Sequence, residues 1–191
     1  MKQFLLGLIL VFSFISMVNV ASAQFNYIGG GIILATGGEY ESDGFQYYNK
    51  SLALNLRLNY NVNKKIELLT SFNLFVPNKE EFAIGGNSKT NLMSLNLDGH
   101  YILNPKSRKS YRVYALVGIH LSRWNIENTM ISTHSAFKDK NVKESRFVFG
   151  ANLGVGMNVR INNRLLFYAE TKYLVSEMGQ LMFNPGLMYE F

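Results

Sequence analysis

The sequence predicts an all-β chain whose eight antiparallel strands close, up and down, into a barrel. Three observations lead there: apolar residues that recur at every second position, connections that alternate between short and long, and strands of about 11 to 13 residues. Soluble β-domains usually use strands of about 5–6 residues, and no stretch after residue 24 reads better as a helix.

The first 23 residues stand apart. Lys2 precedes an apolar run from Phe4 to Val18, and Ala21-Ser22-Ala23 follows as an A-x-A cleavage site. Residues 1–23 therefore read as a secretory signal peptide, and 24–191 as one domain. A membrane anchor is the poorer reading, since a spanning helix needs about 20 apolar residues. Losing Lys2 lowers the net charge from +6 to +5, too little for a nucleic-acid binder. The absence of cysteine excludes disulfides, thiolate metal sites, a cysteine nucleophile and a lipidated N-terminal cysteine. Three prolines beside 14 Phe and 11 Tyr argue against a disordered linker.

The strands follow in order. Phe25–Thr36 is blunted by Gly29, Gly30 and Gly31, where a bulge or close contact fits better than a phosphate loop, because no helix follows. Ser51–Val62 alternates without a break, with Leu52, Leu54, Leu56 and Leu58 set against Ala53, Asn55, Arg57 and Asn59. Ile66–Val76 comes next. In Leu92–Leu103, Met93, Leu95 and Leu97 oppose Ser94, Asn96, Asp98 and His100. Tyr111–Ser122, Phe147–Ile161, Leu165–Val175 and Gln180–Phe191 complete the eight.

Asn63–Lys65, Asn104–Ser110 and Asn162–Arg164 are short connections; Gly37–Lys50, Pro77–Thr90 and Arg123–Ser145 are long, with a brief one at Ser176–Gly179. Long strands joined by short turns at one end and long loops at the other suit a small membrane barrel. Closure leaves no backbone edge unpaired in lipid.

Alternation alone does not say which face is outside, since a soluble ligand-carrying barrel is apolar within. Three features choose the apolar face as the lipid face. The polar faces are mostly Asn, Ser and Gly rather than a Lys/Glu coat. Aromatics gather at strand ends: Tyr60, Tyr101, Tyr111, Tyr189 and Phe191 near the short turns, and Phe147, Tyr173 and Phe183 near the other end. The polar-face charges balance, Arg57, Arg112, Arg160 and Lys172 against Glu67, Asp98, Glu170 and Glu190, as a confined interior requires.

The stretch Gly150–Arg160, the aromatic strand Phe167–Tyr173 and the end Leu187, Tyr189, Phe191 carry a resemblance. The chain resembles the small eight-stranded outer-membrane barrels of Gram-negative bacteria, the OmpA/OmpX-like porin-superfamily proteins. Its Asn- and Tyr-rich composition is similar to Bacteroidota versions. The resemblance implies a cell outer-membrane location, contact with lipid and lipopolysaccharide, and a terminal signal (Leu187, Tyr189, Phe191) read by the outer-membrane insertion machinery. A monomer without cofactor or nucleic-acid partner is expected. So is the lack of the peptidoglycan-binding domain of full-length OmpA-type proteins.

An eight-stranded barrel has room for side chains but not for a wide pore. Arg57, Glu67, Asp98, His100, Arg112, Arg160, Glu170, Lys172 and Glu190 are expected to form an interior ion-pair network, packed with Leu166 and Tyr168. The three-residue turn at Asn162–Arg164 sets Lys172 opposite Gly154 and Glu170 opposite Gly156, giving both long side chains room over glycine. A structural or surface-interaction role follows, with a narrow gated conduit as the alternative.

A lipid A-modifying enzyme is a further alternative. Lipid A deacylases on such barrels carry a His-x-Ser pair, and His120-Leu121-Ser122 matches that spacing, although Arg123 stands where the pattern has Asn. Pairing around Asn104–Ser110 sets Asp98 opposite about residue 116 and His120 opposite about Ser94, leaving the acid about 13 Å away along the strand. That is too far for a triad, and parity turns His120 inward, so no enzyme is expected.

No metal site is expected either. His100 and Asp98 lack a third ligand, and Glu39, Glu41 and Asp43 lack the full spacing of a calcium loop. Asn49-Lys50-Ser51 fits a glycosylation sequon, a common chance pattern. Specific contacts fall to the long connections. Arg123, Trp124, Phe137, Lys138, Lys140 and Lys143 form the candidate partner-contact loop, basic and aromatic enough for lipopolysaccharide or a protein. The same segment could be a β-hairpin that prolongs its two flanking strands.

Overall fold

The computed structural model describes residues 25–36, 39–42, 45–48, 51–81, 86–104, 110–130, 140–177 and 179–191. The leader read at 1–23 lies outside these, as do Asp43, Phe137 and Lys138. The strands are β1 (Phe25–Thr36), β2 (Glu39–Ser42), β3 (Phe45–Tyr48), β4 (Ser51–Asn61), β5 (Ile66–Phe75), β6 (Asn78–Glu81), β7 (Gly86–Ile102), β8 (Tyr111–Met130), β9 (Lys140–Arg160), β10 (Leu165–Val175) and β11 (Gln180–Glu190). Eight of them close a barrel in the order β5-β4-β1-β11-β10-β9-β8-β7, with β7 pairing back onto β5. The short β6 runs along the upper part of β7, while β2 and β3 pair with each other.

Burial is inverted relative to a water-soluble domain. On β4, Leu54 and Leu56 are each 63% exposed, whereas Arg57 between β1 and β5 is 2% exposed. The same holds around the wall, where Ile119, Phe149, Leu153 and Val155 face outward. Such a continuous apolar surface is stable where lipid replaces water, and the closed ladder satisfies the backbone there. Tyr101, Tyr111, Tyr189 and Phe191 edge this surface at the short-turn end, and Phe147, Tyr173 and Phe183 lie outward towards the other.

Five barrel strands keep the expected bounds to within one residue, but β7, β8 and β9 overrun them. The connection expected over Arg123–Ser145 is largely strand: β8 and β9 pair without interruption from Tyr111↔Val159 to Met130↔Lys140. It is the hairpin alternative that the chain adopts. Likewise, β6 and the start of β7 occupy part of Pro77–Thr90. Beyond the apolar surface neither face of a strand needs to be apolar, so the period-two signal fades while the ladder continues.

The core is the barrel interior, and it is layered. Nearest the long connections lies an apolar cluster that includes Ile33, Phe75, Leu92, Trp124, Val148, Leu174 and Met182. Tyr27, Leu166, Tyr168 and Met188 fill one side of the short-turn end, with Ile102, Tyr114 and Leu116 forming a separate cluster. Polar and charged side chains occupy the middle. The apolar upper layer was not expected, because each strand contributes only one or two of its members.

Candidate functional site

Glu170 on β10 is the centre of the polar layer. Its carboxylate lies 3.5 Å from the Arg57 guanidinium and 3.8 Å from Lys172 Nζ, and it accepts a hydrogen bond from Tyr114 Oη at 3.1 Å. Lys172 also pairs with Asp98 at 3.0 Å, and Asn152 Nδ2 donates to the same carboxylate at 2.7 Å. The Arg57 guanidinium lies over the Tyr168 ring, 3.7 Å from its centroid. His100 stacks on Tyr114 with ring centroids 4.2 Å apart, and its Nε2 is 3.8 Å from Glu170. Arg57, Asp98, Glu170 and Lys172 are all buried, so their mutual pairing is a condition of the fold.

The remaining expected members sit apart from this centre. Arg112 pairs with Glu67, and Arg160 with Glu190 at 2.6 Å, both towards the short-turn end. Tyr27 links the two pairs: Arg112 Nη2 donates to its hydroxyl at 3.3 Å, and that hydroxyl donates to Glu190 at 3.4 Å. The charges therefore form a central cluster and a rim cluster rather than one network. The role of Tyr114 and Tyr27 was not legible in advance. The Tyr114 hydroxyl reaches Glu170 from β8, and that of Tyr27 joins Arg112 to Glu190 across strands far apart in sequence.

The ladder sets Lys172 opposite Gly154 and Glu170 opposite Gly156, as expected. The room over Gly156 is taken, however, by the Tyr114 ring from β8, into which a β-carbon there would run. Glycine at 156 thus lets the tyrosine reach Glu170.

His120 corrects the register expected between the fourth and fifth barrel strands. Its cross-strand partner is Asn96, and that of Asp98 is Gly118, a shift of two residues from the expected pairing. The shift arises because β7 and β8 pair down to Ile102↔Tyr114, leaving a longer connection than a tight turn would. Asp98 is therefore nearer to His120 than expected, yet it is committed to Lys172 and Asn152. His120 Nδ1 instead lies 2.6 Å from Asn96 Oδ1, and Ser122 is buried with its hydroxyl hydrogen-bonded to Trp124 Nε1 at 3.1 Å. Among the described residues, no acid side chain is hydrogen-bonded to His120. Among the described residues, no three His, Asp or Glu side chains gather as metal ligands.

Trp124 requires a second correction. It is not on a contact loop: it points into the barrel, 5% exposed, within the upper apolar layer. Continuation of β8 past Ser122 keeps strand parity, and even-numbered residues there face inward. Arg123, of opposite parity, is exposed; its Nε donates to Ser145 at 3.3 Å, and its guanidinium lies 5.7 Å from the Phe147 ring centroid. Further along the same outer face, Glu127 stands between Lys89 and Lys143 in the ladder. Lys143 Nζ donates to Glu127 Oε1 at 2.9 Å, which holds that carboxyl below the usual glutamate range. Lys140 begins β9 opposite Met130. Leu187 and Tyr189 face outward on β11, with Phe191 exposed after it.

The family model described as "Outer membrane protein beta-barrel domain" matches residues 6–191. Among solved structures, the outer membrane protein OprG of Pseudomonas aeruginosa is similar at a TM-score of 0.61 and 12% identity, over 87% of this chain and 96% of that one. Ail, the attachment invasion locus protein of Yersinia pestis, in complex with the heparin analogue sucrose octasulfate, gives 0.58 at 16% identity over 88% and 99%. Neisserial surface protein A gives 0.54 at 13% identity over 86% and 96%. At such identities the likeness is one of fold. No curated protein matches the sequence significantly.

Proposed function

Because this chain belongs to the outer membrane protein beta-barrel domain family and is integral to the outer membrane, we propose that it is a non-catalytic, monomeric surface-contact protein. Its barrel serves as a closed pedestal, and its working surface is the sheet that β7, β8 and β9 raise above the membrane. In barrels of this kind the short turns face the periplasm and the long connections the outside.

The observation that carries this reading is the continuous pairing of β8 and β9 beyond the apolar surface, up to Met130↔Lys140. A paired hairpin offers a partner a surface already ordered, which lowers the entropic cost of binding. At its base, the Arg123 guanidinium beside the Phe147 ring suits contact with lipid headgroups at the edge of the wall. Arg123 and Lys143 suit contact with lipopolysaccharide phosphates, and the paired strands suit a protein partner. The outward Leu187, Tyr189 and Phe191 suit recognition by the insertion machinery during assembly.

Replacing residues 127–143 by a short glycine linker is expected to leave a folded barrel, seen as heat-modifiable migration on gels. Co-purification with lipopolysaccharide and adhesion of cells displaying the protein should fall together by several-fold. A deletion that folds and retains both would remove the hairpin as the working surface.

A further inference from the structure

The net charge is unevenly distributed. The three short connections hold Lys64, Lys65, Lys106, Arg108, Lys109 and Arg164 and not one acid. The interior and rim charges cancel, Arg57, Arg112, Arg160 and Lys172 against Glu67, Asp98, Glu170 and Glu190. The long connections and the brief one, residues 37–50, 77–90, 123–146 and 176–179, carry eight cations and nine acids. The positive surplus of the chain therefore lies on the periplasmic turns.

Two of these turns share one construction. Asn63 Oδ1 accepts the amides of Lys65 at 2.8 Å and Ile66 at 3.0 Å; Asn162 Oδ1 accepts those of Arg164 at 2.9 Å and Leu165 at 2.8 Å. The backbone bonds match as well, Val62 and Asn63 donating to the Ile66 carbonyl, and Ile161 and Asn162 to that of Leu165. Asparagine thus locks each turn and presents a cation two residues later, Lys65 in one and Arg164 in the other. Lys64 and Lys65 are exposed.

Arg164 is directed further. Its Nη1 donates to Tyr189 Oη at 2.9 Å, and Tyr189 meets Phe191 edge-on with centroids 6.1 Å apart. The guanidinium is held at the aromatic border of the lipid-facing wall, beside an open groove of about 640 Å³ lined by Asn162, Asn163, Arg164, Leu165 and Tyr189. The groove is mostly apolar and has a cation at its edge, which matches the junction between the phosphate and the acyl chains of a glycerophospholipid.

We infer that the periplasmic turns form a docking surface for anionic glycerophospholipid headgroups of the inner leaflet, with Arg164, Lys64 and Lys65 as the phosphate-binding groups. The apolar wall supplies continuity with the acyl chains, and the acid-free turns supply charge complementarity. A basic residue near an anionic membrane surface contributes about fivefold to binding, and this falls as salt shortens the screening length. The inference rests on membrane orientation alone and is independent of the role proposed for the outer hairpin.

The test is lipid selectivity of the intact barrel in phosphatidylcholine vesicles, read from the motionally restricted fraction of spin-labelled phosphatidylglycerol against that of spin-labelled phosphatidylcholine. Folding of every variant is checked by heat-modifiable migration. The unaltered protein should prefer phosphatidylglycerol by about tenfold at low salt, and by much less at high salt. K64Q/K65Q/R164Q should bring the preference close to unity, whereas K79Q/K89Q/R146Q, with the same loss of charge at the other end, should retain it. Equal loss in both variants, or no loss in the first, overturns the inference. So does a K64Q/K65Q/R164Q protein that keeps its lipid preference but no longer sediments with purified peptidoglycan, since the turns would then serve the cell wall.

Discussion

Glu170→Gln is expected to cost the folded barrel about 3–5 kcal/mol, measured as urea-induced unfolding from phosphatidylcholine vesicles. The side chain keeps its size and loses its charge. Arg57, buried beside it and over the Tyr168 ring, would then face no carboxylate among the described residues, because Asp98 is held by Lys172. The penalty comes from stranding a buried cation rather than from the worth of one ion pair. For that reason R57M/E170Q, which removes both charges, should recover most of the loss. The exposed pair of Lys143 and Glu127 is the contrast: E127Q should leave the unfolding midpoint unchanged. Similar behaviour of E170Q and E127Q would mean that water reaches the centre of the barrel and the interior is not sealed.

Trp124→Ala is expected to cost about 3–5 kcal/mol, as for an aromatic removed from a packed core. Trp124 is the single tryptophan of the chain, so its fluorescence reports on the upper apolar layer directly. Buried among Ile33, Phe75, Leu92, Val148 and Leu174, it should emit at short wavelength and resist acrylamide until the barrel unfolds. A tryptophan on an exposed contact loop would emit to the red, quench freely, and cost less than about 0.5 kcal/mol on removal. The two outcomes separate an apolar seal across the lumen from an open mouth.

Much of the architecture is legible in the sequence because the wall of a membrane barrel imposes one rule on every strand. Leu52 to Leu58, Met93 to Leu97 and Leu153 to Met157 must all be apolar on the outside, so parity alone separates wall from lumen. Parity also turns His120 inward and assembles the acids and bases that meet at Glu170. Parity cannot supply the height of a residue in the barrel. That depends on register, and the register between β7 and β8 rests on a connection whose length the sequence does not reveal. A two-residue error there displaced Asp98 relative to His120. The apolar layer was hidden for the same reason, since Ile33, Phe75, Leu92, Trp124 and Met182 come from separate strands and become neighbours only once all registers are fixed. The inward place of Trp124 is hidden because the aliphatic signal that defines a strand ends at the membrane border, whereas the ladder of β8 and β9 does not.

The most direct test of a sealed, side-chain-filled barrel is single-channel recording of the purified protein in planar bilayers. The packed layers above and below Glu170 predict insertion, confirmed by heat-modifiable migration of the recovered protein, without a steady opening. A reproducible conductance on the nanosiemens scale would contradict the account and make the chain a conduit.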